Sequence, residues 1–291
     1  MIGKQENEAE RWMKELLDRG YCIIPDALPI ETIMALNSDL DETFHATPFG
    51  KGRFYGNRTK RFGSLLRRSR HAPALVLQPT IMAMAEAILG AACERIQLNV
   101  AQAIEIHPGE VRQLPHRDQD MWAGAKGGHE YLINVIWPLT PFREENGATQ
   151  IYPNSHGAAG IERADPGDPI VAECEPGSAI CFLGSTAHGA GANLTSSTRR
   201  AVVIGYSLGW LKPYENLWLA YPPNVARAFP PELASLAGYA QHRPNLGNYE
   251  GQCPSILLGD NVPVYIGAID ALRPDQDAML EEYATTGRLP A

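Results

Sequence analysis

The sequence has few cysteines, and their spacing gives no sign of a disulfide framework. Its five cysteines are an odd number, and no two of them form a CxxC pair. Unpaired, reduced thiols are typical of cytoplasmic proteins, so the sequence predicts a cytoplasmic location.

Long apolar runs and an excess of basic residues are also lacking. No run approaches the roughly 20 apolar residues of a membrane helix, and the first residues show no apolar signal-peptide core. The formal net charge is −8. We therefore expect no membrane and no nucleic acid among the partners. No repeat, low-complexity tract or linker divides the 291 residues, so we predict a single domain over 1–291.

Helical patterns dominate residues 1–95, which we predict to be a helical support with a lid loop. Apolar residues recur at helical spacing in EAERWMKELLDRG, after Pro29 and in PTIMAMAEAILG. A short strand, YCII, separates the first two helices. Residues 51–70 are rich in arginine and lysine, and we predict a loop there, either a solvated surface or a contact for an anionic ligand.

From residue 96 the pattern changes to short β-runs separated by turn sequences such as HPGE, ENGA and EPGS. Regular short strands of this kind predict a β-sandwich or barrel, so the fold class is mainly β with flanking helices. We place this core at 96–210. Residues 211–291 form an extension that contributes to a pocket or a dimer contact, with helices predicted near 231–240 and 271–284.

The segment QLPHRDQDMW holds a histidine and an aspartate two residues apart, His116 and Asp118. If the segment is a strand end, their side chains share one face and Arg117 points away. Alone, the pattern fits a charged surface loop better than a metal site, and we expect Arg117 and Asp120 to lie at the surface.

A second histidine, His188, follows an apolar strand and enters the glycine-rich segment AHGAGAN. Two histidines and one carboxylate form a facial triad, whose three open positions suit non-haem Fe(II). Arg199 opens the next β-run and suits a buried carboxylate because its planar guanidinium binds in a bidentate manner. Arg200 competes for this role, but adjacent strand residues face opposite sides, so only one of the two points inward.

Together the segments HRD, ENGATQIYPNSH and HGAGANLTSSTRRA resemble the phytanoyl-CoA dioxygenase (PhyH) family over residues 16–208. The resemblance implies a double-stranded β-helix (jelly-roll) core and an enzyme dependent on Fe(II), 2-oxoglutarate and O2. It implies that His116, Asp118 and His188 hold the iron and that Arg199 binds the distal carboxylate of 2-oxoglutarate. Gln113 and Thr149 match positions that contact 2-oxoglutarate in the fungal natural-product branch of that family.

The expected partner is a small-molecule substrate, with a homodimer as a further option. The resemblance to natural-product enzymes implies oxidation of an unactivated C–H bond in a terpenoid, alkaloid or peptide-like metabolite, by hydroxylation, desaturation or cyclisation. We predict Trp122, Phe54, Tyr55 and Trp210 as substrate contacts, although such aromatics equally suit a second small core. An acyl-CoA hydroxylase, a zinc hydrolase and a non-catalytic jelly-roll binding protein are the alternatives.

Overall fold

In the computed structural model of the chain, residues 2–289 are described, with side chains from residue 8 onward. Within this range the helices are α1 (Ile2–Arg19), α2 (Ile30–Ala46), α3 (Leu65–Arg68), α4 (Ala72–Val76), α5 (Pro79–Leu89), α6 (Gly157–Ile161), α7 (Leu217–Ala220), α8 (Pro223–Ala226), α9 (Pro231–Leu236) and α10 (Pro274–Thr286). The strands are β1 (Tyr21–Ile24), β2 (Thr59–Phe62), β3 (Ile96–Ile106), β4 (Leu132–Pro138), β5 (Thr149–Ile151), β6 (Ile170–Val171), β7 (Ala179–Leu183), β8 (His188–Ala190) and β9 (Arg199–Leu208).

Two sheets form the core of the chain up to Asn216. The larger sheet has six strands in the order β1-β7-β4-β9-β3-β2, and the smaller has the order β6-β5-β8. Every strand pair in both sheets is antiparallel. Side chains from both sheets meet in one buried cluster that includes Ile136, Ile151, Ile180 and Ala201. These sheets with flanking helices confirm the predicted fold class.

The N-terminal helices follow the apolar spacing of the sequence. In α2 the buried residues are Ile33, Leu36, Leu40 and Phe44, which recur every three or four positions. Helix α5 begins after Gln78, whose side chain accepts a hydrogen bond from the amide of Ile81 at 2.8 Å.

The basic segment 51–70 is not the uninterrupted loop that the sequence predicts. It contains β2 and α3, and β2 pairs with β3 in the register Arg61↔Ile104. Lys60 and Phe62 face α2, where the ammonium of Lys60 donates to the carbonyl of Phe44 and the two phenyl rings pack edge to face at 4.8 Å. The lysine and arginine residues of this segment suggest a solvated loop, but the segment contains a strand that is packed against the protein.

Residues from Leu217 onward form a second compact unit. Its buried cluster contains Ala226, Ala234 and Tyr239, with Phe229 packed against it. Helix α10 has no buried residue. The single domain over 1–291 stays a prediction, as do the cytoplasmic location and the homodimer. Along residues 2–289 no helix combines the length and apolarity needed to cross a bilayer.

Candidate active site

A cleft runs along the inner face of the six-stranded sheet and encloses about 890 Å³ of space, its open mouth included. Apolar side chains from β3, β4, β7 and β9 form much of its wall. They are Val100, Ile104, Ile106, Ile136, Phe182, Ala201 and Val203. The polar side chains are grouped among them, so the cleft combines an apolar body with a few polar anchors, as small-molecule sites do.

The backbone brings His116 and His188 directly opposite each other. Each donates its amide N–H to the carbonyl of the other at 3.0 Å, in an isolated antiparallel bridge. The two imidazole rings lie 4.5 Å apart between centroids. Two residues that are 72 positions apart in the chain therefore present their rings to one point.

Asp118 completes the group. Its Oδ1 lies 3.3 Å from Nε2 of His116, and its Oδ2 lies 3.5 Å from Nε2 of His188. All three ligand atoms lie within 4.8 Å of one another. Imidazole and carboxylate bonds to a divalent metal are about 2.0–2.2 Å long. Two ligand atoms on one ion can therefore be at most about 4.4 Å apart, and both distances from Asp118 to the imidazoles satisfy this limit.

Both histidines are held in the tautomer that a metal requires. Nδ1 of His116 lies 2.9 Å from the carbonyl oxygen of Leu114, and Nδ1 of His188 lies 3.1 Å from that of Thr186. A carbonyl oxygen only accepts, so each Nδ1 carries the proton and donates. Each Nε2 faces the carboxylate of Asp118 and can bind a metal ion once it has released the proton that it donates to that carboxylate.

The charge state of Asp118 also suits a metal. Its enclosure in the cleft raises the pKa of the carboxyl, but the charge of His188 and the hydrogen bonds with both histidines outweigh this. The pKa of Asp118 therefore lies well below its ordinary value, and the group is a carboxylate at neutral pH.

The HRD segment is not a strand, contrary to the expectation that placed His116 and Asp118 on one strand face. Asp118 begins a short 3-10 helix, Asp118–Met121, which is tied to the sheet by a hydrogen bond from the amide of Gln119 to the carbonyl of Gly184. The carboxylate of Asp118 also accepts a hydrogen bond from Asn134 at 2.8 Å. Asp118 is thus directed inward by a turn and a neighbouring side chain, not by strand alternation.

Arg117 points away from the metal group as expected, but it is not a free surface residue. Its guanidinium donates to the carbonyls of Ser185, Ser155 and Gly160 at 3.0, 3.3 and 3.1 Å. It therefore fastens the ligand loop to the segment that leads to His188. Asp120 is exposed, as the sequence predicts.

Strand alternation separates the two adjacent arginines of β9. Arg199 lines the cleft and is 4% exposed. Arg200 faces the other side, where it pairs with Glu105 at 2.6 Å and Asp41 at 2.8 Å. Burial lowers the pKa of Arg199 to about 9. Its Nε is buried and has no hydrogen-bond partner among the described residues, which suits a ligand that carries a negative charge.

Gln113 and Thr149 both line the cleft. Thr149 is 4% exposed on β5. The side-chain amide of Gln113 makes two hydrogen bonds to backbone groups. Its Nε2 donates to the carbonyl of Phe54 and its Oε1 accepts from the N–H of Ala190, each at 3.2 Å. Gln113 thus joins the 51–70 segment to β8 at the edge of the metal group.

The four predicted substrate contacts divide into two pairs. Phe54 and Tyr55 line the cleft, and the ring of Phe54 lies 4.8 Å from that of His116. Trp122 and Trp210 are instead packed edge to face on Tyr131, each at 6.2 Å. Their indole N–H groups donate to the carbonyls of Lys212 and Ala92. The structure does not bring these two tryptophans to the cleft.

Arg61 is a cleft residue that the sequence did not single out within its basic segment. Its guanidinium donates to Gln102 at 3.3 Å and lies 5.5 Å from the ring centroid of Tyr55. Burial lowers its pKa, and its Nε has no partner in the described part of the chain. The available signal was period-two alternation in TKRF, which places Arg61 on the face opposite Lys60.

Comparison with known proteins identifies relatives over most of the chain. The phytanoyl-CoA dioxygenase (PhyH) family matches residues 16–201, a range that includes the three candidate ligands and Arg199. The dioxygenase olcK of Penicillium canescens is 31% identical over 245 residues, covering 80% of this chain and 81% of its own. The dioxygenase cdmD of Talaromyces verruculosus is 29% identical, covering 76% and 80%.

Solved structures share the fold at lower identity. The non-haem 2-oxoglutarate-dependent epimerase SnoN from nogalamycin biosynthesis superposes with a TM-score of 0.59 at 18% identity, covering 71% of this chain and 86% of its own. HygX from Streptomyces hygroscopicus, solved with nickel and 2-oxoglutarate, gives 0.55 at 14% identity, covering 70% and 89%. The chain therefore belongs to the phytanoyl-CoA dioxygenase (PhyH) family, and the predicted class of enzyme, a non-haem dioxygenase dependent on iron and 2-oxoglutarate, is confirmed.

Proposed function

We propose that this enzyme oxidises a C–H bond of a small, largely apolar metabolite of the natural-product kind, with release of succinate and CO2. Hydroxylation is the expected outcome, and desaturation and cyclisation are the alternatives. One observation carries the proposal: three metal-ligand atoms and a buried arginine with an unpaired Nε converge on one apolar cleft.

His116, Asp118 and His188 are the proposed iron ligands. The support is the direction of both Nε2 atoms toward the ionised carboxylate between them. When bound, iron and 2-oxoglutarate supply the oxidising chemistry, and the protein supplies orientation and a dry cleft. The carbonyls of Leu114 and Thr186 keep both imidazole rings oriented for this role.

Arg199 is the proposed anchor of the distal carboxylate of 2-oxoglutarate, and Thr149, which also lines the cleft, is proposed as a further contact of the same molecule. The burial of Arg199 favours a charge-paired ligand, because an isolated buried cation costs free energy. Arg61 is a second buried guanidinium in the same cleft, and we propose it as a further contact for a carboxylate of the cosubstrate. Gln113, which also lines the cleft, is proposed as a further contact of 2-oxoglutarate.

The apolar wall supports a substrate with a hydrocarbon skeleton. Phe54 and Tyr55 line the cleft from the 51–70 segment, with the ring of Phe54 next to that of His116, and are the proposed substrate contacts. SnoN and HygX support the natural-product reading, since a SnoN structure was solved with a nogalamycin compound and a HygX structure with hygromycin B. An acyl-CoA substrate has weaker support, because the chain is acidic on average and the ammonium of Lys60 in the basic segment already donates to the carbonyl of Phe44.

The test is anaerobic titration of the protein with Fe(II) and 2-oxoglutarate, followed by O2. We expect a charge-transfer absorption band on chelation and slow, uncoupled formation of succinate after O2 is admitted. The His188→Ala variant should lose both signals. His45→Ala is the matched control, since His45 is an exposed histidine on α2.

Three results would count against the proposal. A wild-type protein without the band, 2-oxoglutarate binding that is unchanged in Arg199→Ala, or full turnover in His188→Ala would each contradict the assigned site. A zinc hydrolase would show Zn(II)-dependent hydrolysis that does not require Arg199, and a binding protein would form no succinate.

A further inference from the structure

Asn134 is the only amide side chain of β4, whose sequence is LINVIWP and whose seven positions are all buried. It is 2% exposed and lines the cleft. Burial of an amide costs free energy unless it is hydrogen-bonded. The Nδ2 of Asn134 makes that bond to Oδ2 of Asp118, at 2.8 Å.

We propose that Asn134 is a positioning residue that restricts Asp118 to a single coordinating oxygen and so keeps three positions of the iron open. The inference rests on the proposed function. Its basis is that the two carboxylate oxygens have different partners. Oδ2 accepts the hydrogen bond from Asn134, whereas Oδ1 lies 3.3 Å from Nε2 of His116. Chelation through both oxygens requires rotation of the carboxylate, which this bond opposes.

A row of residues across the sheet holds Asn134 in place. Phe182 on β7 and Gly205 on β9 lie directly opposite Asn134 on its two sides. The ring of Phe182 packs against the imidazole of His188, with 4.3 Å between centroids. The same row therefore orients the amide that binds Asp118 and the ring of the second ligand.

Gly205 leaves the space that the amide occupies. A Cβ at this position would lie 3.2 Å from Oδ1 of Asn134 and 3.1 Å from Val100. Gly205 has no positive φ, so the backbone conformation does not require glycine there. A side chain at this position would crowd Asn134, Val100 and Leu132 together, which is a physical reason for a glycine in the middle of a buried strand.

The number of open positions gives this contact its importance. Three protein atoms on a six-coordinate iron would leave three positions for 2-oxoglutarate and O2. A second oxygen from Asp118 would leave only two. Loss of the Asn134 contact should therefore weaken 2-oxoglutarate binding in addition to metal binding.

The test uses Asn134→Leu, which is close in size and cannot donate. We expect the Kd for Mn(II), measured anaerobically by calorimetry, to rise about tenfold, as is typical for partners of metal ligands. The Kd for 2-oxoglutarate on the Fe(II)-loaded protein, read from the charge-transfer band, should also rise. Gly205→Ala, which displaces the amide without removing it, should shift both constants in the same direction by less.

Val135→Ala is the control, because Val135 is a fully buried neighbour on β4 that does not line the cleft. It should destabilise the strand and leave both Kd values unchanged. Folded Asn134→Leu with both constants within about twofold of wild type would overturn the inference. So would a weaker Mn(II) site with unchanged 2-oxoglutarate binding. If Asn134→Leu does not fold, unchanged constants in Gly205→Ala overturn it instead.

The two proposals fail in different ways. If the wild-type protein binds no Mn(II), or if the Asp118→Ala variant binds Mn(II) as tightly as wild type does, the proposed metal site is wrong and the proposed function fails with it. A wild-type protein with a normal metal site and an Asn134→Leu variant with the same constants would overturn only the role of Asn134.

Discussion

The hydroxyl oxygens of Tyr55 and Tyr214 lie 2.8 Å apart across the cleft, although 159 positions separate them in the chain. The segment of Tyr55 is held by Glu110, which accepts from the amide of Arg58 at 2.6 Å and the hydroxyl of Thr59 at 2.9 Å. Tyr214 is held by Asn99, which accepts from its amide at 2.8 Å. The tyrosine pair therefore joins two separately anchored segments over the substrate space.

Removal of one phenol hydroxyl should loosen the 51–58 segment. We expect Tyr214→Phe and Tyr55→Phe each to speed hydrogen exchange in peptides covering 51–58 by about two- to tenfold, which corresponds to one hydrogen bond. The double variant should show no further increase, because both changes remove the same bond. Mass-spectrometric exchange measures this, with the 92% exposed Tyr265→Phe as control. Additive effects would contradict a shared bond.

Asn99 owes its position to an irregularity in β3. The register between β3 and β9 shifts between Leu98 and Val100, which turns Asn99 out of the ladder. Its carbonyl accepts from the amide of Glu215 at 3.0 Å, and the carboxylate of Glu215 accepts from Ala101 at 3.2 Å and Ser64 at 2.6 Å. The bulge thus supplies the docking point for the segment that carries Tyr214.

Glu215 should make the stability of the protein fall as pH rises. Burial raises the pKa of its carboxyl above the ordinary 4.5, and the hydrogen bonds from Ser64 and Ala101 offset this only in part. Between the ordinary and the raised pKa the folded chain retains a proton that the unfolded chain has released, so the free energy of unfolding decreases with pH. Urea unfolding from pH 4.5 to 7 should show a shallower decrease in Glu215→Gln. The exposed Glu86→Gln should match wild type, and equal slopes in all three proteins would refute the prediction.

Glu105 should have the opposite pH dependence. Burial raises the pKa of this carboxyl, but hydrogen bonds from Arg200 and His107 outweigh it and hold the pKa below the ordinary 4.5. Its contribution to stability is complete above pH 4.5 and is lost as pH falls through the lowered pKa. In Glu105→Gln we expect a loss of about 3 kcal/mol at pH 7, because Arg200 loses its buried partner. The loss should shrink in urea unfolding at pH 3–4, and a loss that is independent of pH would contradict this account.

The regular helices and strands could be predicted from the sequence, and so could the three residues that the structure brings together as a candidate metal group. The run Ile96–Ile106 is one strand, as predicted, and alternation correctly separated Arg199 from Arg200. Such features depend on local period and residue type. The roles of Arg61 and Asn134 depend on which strands are neighbours, and this pairing is not encoded in any short segment. Nor does spacing reveal that His116 and His188 bridge through their backbones.

Glutamine substitutions at Arg199 and Arg200 should affect different properties, the first 2-oxoglutarate binding and the second stability. Arg199→Gln should raise the Kd for 2-oxoglutarate about 10- to 100-fold, the effect of losing charge-assisted hydrogen bonds of about 1.5–3 kcal/mol. Its stability should change little, because the buried Nε has no partner in the described residues to lose. Arg200→Gln should lower the free energy of unfolding by about 3 kcal/mol, since Glu105 stays buried without its main partner, and should leave 2-oxoglutarate binding close to wild type. Calorimetric titration and urea unfolding of both variants make the comparison. Two variants with the same profile, or the reverse assignment of the two effects, would mean that strand β9 presents its arginines differently from the structure described.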